Sequence, residues 1–163
     1  MSTTNKFAYS ITKKNLESAF AGESMANRKY LYFARLAREL GDEEVATVFE
    51  ETAQQETEHA LSHLSLIYPK EGMTVTQLLE MAIEGERYEH TTMYPGFEKQ
   101  ALNEASIEAA REFAEQAKES KQHDQRFTKV LELARKRFEA LAKIEKVHAD
   151  RYQHFLEKRK GTL

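Results

Sequence analysis

The sequence predicts an all-α protein built as a bundle of four long amphipathic helices, and three observations lead there. Only six Gly and two Pro interrupt 163 residues, so little in the chain breaks a helix. Apolar residues recur three and four positions apart over long stretches, the period of a helix with one buried face. An eleven-residue pattern at Phe49–His59, F-x-x-x-A-x-x-E-x-x-H, returns at Phe138–His148, and each copy puts Glu and His on the same side as its apolar residues.

The first helix is expected over 12–40, with a stripe of Leu16, Ala19, Phe20, Tyr30, Phe33 and Ala37. Gly41 suits the position just past its end. Asp42 can cap the second helix, 42–67, whose first turn carries Glu43 and Glu44. After a break at Pro69–Met73, Thr74 and Gln77 form a capping-box pattern. The third helix is expected over 74–118, kinked at Pro95. The fourth is expected over 124–160, with a hairpin near Glu119–Asp124 joining it to the third. The alternative is a separate helix at about 104–122 capped by Asn103. One domain covers 1–163.

Composition removes several function classes. A net charge of −3 without a long basic run argues against nucleic acid. No cysteine is present, which excludes zinc-thiolate and iron–sulfur sites within these residues. No stretch approaches the apolar length of a membrane span, and residues 1–12 lack the apolar run of a signal peptide. A cytoplasmic location is the expectation.

Seven residues stand on the apolar stripes against their polarity: Glu23, Glu56, His59, Glu86, Glu89, Glu145 and His148. A carboxylate on a buried face is costly unless something pairs with it. One Glu from each of two helices, with Glu-x-x-His from each of the other two, is the ligand plan of a di-metal carboxylate bundle. Five clustered carboxylates need cations to stay ionised. Oxygen and imidazole donors without thiolate suit iron or manganese. Tyr30 and Tyr94 lie on or near the stripes, where core packing and a hydrogen bond to a ligand carboxylate are both open readings.

At these residues the sequence resembles the rubrerythrins of the ferritin-like superfamily. The matching stretches are LESAFAGESMANRKYLYFA, ETAQQETEHA, AIEGERYEHTTMYPGF and ALAKIEKVHADRYQHF. The resemblance implies a ferritin-like four-helix bundle holding two iron ions, with manganese or zinc as substitutes, and reduction of hydrogen peroxide to water. It implies that Glu56 and Glu145 bridge the irons, that Glu23 and Glu86 are terminal ligands, and that His148 holds the second iron. His59 would bind the first iron when reduced, and Glu89 would replace it on oxidation. Tyr30 and Tyr94 fall at the family's tyrosines beside the metals. Electrons would come from an external donor protein such as a rubredoxin or a reductase. A ferroxidase or iron-handling role is the alternative.

Two departures from the family pattern bear on the site. Position 26 is Ala, where more symmetric relatives carry a further Glu. The stretch from Glu89 to Glu145 is also longer than the family's usual spacing, and it contains a third, imperfect copy, FAEQAKESKQH, with Ser120 in place of Glu. Glu145 and His148 complete the ligand set and are the preferred pair; were Phe113–His123 the true fourth-helix segment, the site would lose a bridging carboxylate. The link between the second and third helices is short for the span it must cross, which favours a homodimer that exchanges helix pairs.

Overall fold

The computed structural model describes residues 10–160, without the side chain of Lys160. Among the described residues the structure is helical throughout and contains no strand. It divides into two compact units, Met1–Met73 and Thr74–Leu163.

The first unit is a helical hairpin of α1 (Ile11–Glu39) and α2 (Glu43–Ile67). Ser10 caps α1, its hydroxyl accepting from the Lys13 N–H at 3.1 Å. Gly41 sits in the left-handed region at φ 87°; its N–H bonds the Arg38 carbonyl at 3.1 Å, and the Asp42 N–H reaches back to the Ala37 carbonyl at 2.9 Å. These two bonds close the end of α1 and reverse the chain. Asp42 then caps α2 by accepting from the Val45 N–H at 3.0 Å. The two helices approach closely because alanines line the seam: Ala34, Ala37, Ala46 and Ala53 are buried. Phe49 packs on that seam and meets the rings of Tyr30 and Phe33, with centroids 5.9 and 5.6 Å away. Arg38 joins the helices outside, donating to both Glu43 and Glu50.

The second unit opens with α3 (Val75–Tyr88), begun by the expected Thr74–Gln77 capping box. A π-helical segment, Glu89–Met93, follows, and then α4 (Tyr94–Asn103). The Tyr94 N–H bonds to the Glu89 carbonyl, five residues back. Pro95 lacks an N–H and its ring crowds the preceding turn, so widening the helix just before it relieves the clash. The last element is α5 (Ile107–Lys160).

Here the expected boundaries need correction. The chain does not run as one helix to residue 118, and no hairpin forms near Glu119–Asp124. It turns at Glu104–Ser106, and 107–160 is one unbroken helix. The turn is made by Ala105, whose φ of 58° is left-handed, while the Ser106 N–H bonds the Ala101 carbonyl at 2.9 Å. This is the glycine-type helix end made without glycine. From the turn, α5 runs back along α4, the π segment and α3. Phe113 packs on Tyr94 and Phe97, Asp124 on Arg87, and Arg135 reaches Glu80 at 2.7 Å.

Candidate metal centre

In the first unit, α1 supplies Glu23 and α2 supplies Glu56 and His59. One ligand atom from each lies within 4.8 Å of the others. The i, i+3 spacing in α2 puts Glu56 and His59 on one face, where the His59 Nδ1 and the Glu56 Oε2 are 2.9 Å apart. The hydrogen bond with His59, and then one with Glu23, holds the Glu56 carboxyl below its usual range. One turn along α1, the Asn27 amide donates to the Ala53 carbonyl at 2.6 Å and to the Thr57 hydroxyl at 2.9 Å. These bonds tie α1 to α2 beside the three ligand candidates. They set which α1 residue faces Glu56.

In the second unit, α3 supplies Glu86 and the π segment supplies Glu89. Both face the first half of α5. His123 Nδ1 lies 3.3 Å from Glu86 Oε2, and the Ser120 hydroxyl donates to Glu89 Oε2 at 2.8 Å. The His123 ring is not oriented to donate along that line, and Glu86 Oε2 is buried with no hydrogen-bond partner among the described residues. A buried carboxylate oxygen left without a donor is what a cation would satisfy. Beside this group, Asp124 accepts from Arg87, His90 and Thr128. Burial pushes the Asp124 carboxyl up, but the hydrogen bonds from His90, Arg87 and Thr128 outweigh it and leave it lowered. Tyr94 is pushed up, first by burial and then by the charges of Glu89 and Glu86.

The structure thus brings Glu23, Glu56 and His59 together in one unit and Glu86 and Glu89 together in the other. Within the second unit it does not bring Glu145 and His148 to Glu86 and Glu89. Glu145 and His148 are both exposed on the far part of α5. Glu145 lies roughly 22 residues past His123, or ~33 Å along the helix at ~1.5 Å per residue. Within the second unit, the α5 segment facing Glu86 and Glu89 is the imperfect copy Phe113–His123, not the copy that carries Glu145 and His148. Ser120 and His123 stand where those two were expected. The sequence signal was present, since Phe113, Ala117 and His123 keep the pattern. Asp124 and its partners Arg87 and His90 carried no signal, because a charged cluster across two helices has no sequence period. Tyr30 and Tyr94 are half-buried, against Phe49 and against Phe97 and Phe113 respectively.

Paired helices that carry Glu and His on facing sides, as here, are the arrangement in which all-α bundles hold metal ions. Comparison with known proteins narrows the class. The rubrerythrin family model matches residues 14–131, and the chain belongs to the rubrerythrin family. It is 37% identical over 133 residues to a rubrerythrin of Porphyromonas gingivalis, covering 74% of this chain and 66% of the relative. It is 36% identical over 127 residues to a rubrerythrin of Nitratidesulfovibrio vulgaris, covering 71% and 66%. A nigerythrin of the same organism is 32% identical over 139 residues, covering 78% and 69%. The chain therefore spans about two thirds of the length of these relatives. A solved structure of nigerythrin in its fully reduced, all-ferrous state aligns at 30% identity with a TM-score of 0.37, covering 81% of this chain and 71% of that one.

Proposed function

We propose that the chain is a di-iron oxidoreductase that reduces hydrogen peroxide to water with electrons from an external donor protein. The observation that carries this reading is the convergence of Glu23, Glu56 and His59 within 4.8 Å, in a member of the rubrerythrin family. The orphaned oxygen of Glu86 in the other unit supports it. Each peroxide takes two electrons and two protons to give two waters, and iron passing between its ferrous and ferric states would supply the electrons.

The chain's own residues bind and position. Hydrogen bonds with His59 and then Glu23 hold the Glu56 carboxyl below its usual range, which favours the charged form that a cation needs. His59 offers an imidazole nitrogen beside it. Glu86, Glu89 and His123 offer the corresponding donors in the second unit. Tyr94, held protonated by burial and by the nearby carboxylates, keeps a phenolic proton close to Glu89. Tyr30, tilted against Phe49, would take the corresponding part in the first unit. No cysteine lies within these residues to bind a further iron; in this reading the electrons come from a carrier such as a rubredoxin or a reductase. A homodimer in the cytoplasm completes it; among the described residues no helix is long and apolar enough to cross a membrane.

The test is anaerobic loading with ferrous iron, then stoichiometric addition of peroxide or of oxygen in a stopped-flow spectrometer. Oxidation by peroxide much faster than by oxygen is expected. Equal rates, or tens of irons accumulated per chain, would replace the peroxidase reading with iron handling. Sedimentation of the loaded protein checks the dimer.

A further inference from the structure

The pattern F-x-x-x-A-x-x-E-x-x-H occurs at 49–59 and 138–148, and imperfectly at 113–123. In α2 it delivers Glu56 and His59 as a bonded pair. In the second unit the copy that faces Glu86 and Glu89 is the imperfect one. It keeps His123 and has Ser120 where the others have Glu. Ser120 is 4% exposed and its hydroxyl is committed to Glu89 Oε2 at 2.8 Å. A serine at this position cannot do what a carboxylate would. It carries no charge, it offers one oxygen rather than two, and here that oxygen is a donor. The first unit presents two carboxylates, Glu23 and Glu56, beside His59, and the second presents Glu86 and Glu89 beside His123. A Glu at position 120 would give the second unit a third.

The affinity of oxygen-rich sites for hard cations is set largely by how many anionic ligands they offer and how rigidly they hold them. The first unit has Glu23, Glu56 and His59 already within reach of one ion. The second has Glu86, His123 and a Glu89 that Ser120 holds by one oxygen.

We propose that Ser120 makes the two groups unequal: the Glu23–Glu56–His59 group binds a divalent ion tightly, and the Glu86–Glu89–His123 group binds its ion weakly, with Ser120 positioning Glu89 in place of ligating. This rests on the metal-centre reading above. Loss of a supporting residue around a metal ligand already costs 10- to 100-fold in affinity, so loss of a ligand itself should separate the two affinities by roughly 100-fold or more.

The experiment titrates the full chain anaerobically with cobalt(II), and separately with ferrous iron, by calorimetry. Metal per chain is counted after dialysis. Expected for the wild type is one ion retained and a second that binds about 100-fold more weakly. Ser120→Glu should retain two. Glu145→Ala should titrate like the wild type, because its carboxylate is far from Glu86. Circular dichroism checks that Ser120→Glu is folded; if it is not, the wild-type and Glu145→Ala titrations still decide. Two ions of equal affinity in the wild type would overturn the inference and leave the metal-centre reading standing. So would loss of an ion in Glu145→Ala, which would show that the distant copy supplies the missing carboxylate. If no ion is retained, the metal-centre reading itself falls.

Discussion

Asp124→Ala should be among the most damaging single changes in the second unit, and its size can be worked from its surroundings. The Asp124 side chain is 12% exposed and accepts from three groups on two elements: Arg87 of α3, His90 of the π segment and Thr128 of α5. The Arg87 side chain is 58% exposed, so its half of the ion pair is largely screened and contributes about 0.5–1 kcal/mol. The His90 side chain is only 16% exposed and would lose Asp124, its hydrogen-bond partner among the described residues. Stranding a buried polar group costs about 1–3 kcal/mol. Removal of Asp124 should therefore destabilise by ~2–4 kcal/mol, less than the full value for a fully buried pair. For a chain of this size that lowers Tm by roughly 4–16 °C. Urea and thermal unfolding followed by circular dichroism measure it, with Arg87→Ala as the companion that should cost about 1 kcal/mol or less. A loss below about 0.5 kcal/mol for Asp124→Ala would refute the argument. A larger loss for Arg87→Ala than for Asp124→Ala would do the same.

Three further outcomes follow from the same geometry. His123→Ala should abolish binding of the weaker metal ion while His148→Ala leaves metal content unchanged, as metal analysis after dialysis will show. Arg38 lowers the carboxyls of Glu43 and Glu50 below their ordinary 4.5, chiefly by hydrogen bonding. A depressed folded-state value means that the stabilisation is present above pH 4.5 and is lost as the pH falls further; Arg38→Ala should therefore narrow its deficit against the wild type on acidification, and a deficit constant from neutral pH to well below 4.5 would contradict the clamp. Ala105→Gly should stabilise by about 0.5–1 kcal/mol, because a left-handed alanine pays a steric cost that glycine does not; unfolding in urea measures it, and destabilisation would mean that the turn is held by other contacts.

Most of the fold was legible where local chemistry and periodicity agree. Gly41 and Asp42 marked the first reversal, and Thr74 with Gln77 marked the start of α3, because each of these residues answers a specific need of a helix end. The second reversal was not legible. Ala105 is the residue a helix interior favours most, so its left-handed conformation carries no local sign in the sequence. The π segment was read as a kink at Pro95. Proline does disturb the helix there, but the disturbance takes the form of one widened turn that re-aims Glu89, and propensity does not distinguish the two.

The site was half legible for a reason that lies in helix geometry. In the first unit, Glu23, Glu56 and His59 were fixed by face alone, since a hairpin this short leaves no second way to pair α1 with α2. In the second unit, face was not enough. The copies at Phe113 and Phe138 begin about 25 residues apart, which is close to seven turns of helix, so both present their His on the same side of α5. Completeness of the motif then favours Glu145 and His148 over Ser120 and His123. Only the axial position separates them, and that is set by where the chain turns back after α4. With the turn at Glu104–Ser106, about 14 residues connect it to Ser120, and about 15 connect Glu89 to it on the other side. Equal legs from one turn must meet, so Glu89 faces Ser120. The register of α5, and with it which residues face Glu86 and Glu89, follows from a left-handed alanine rather than from the motif.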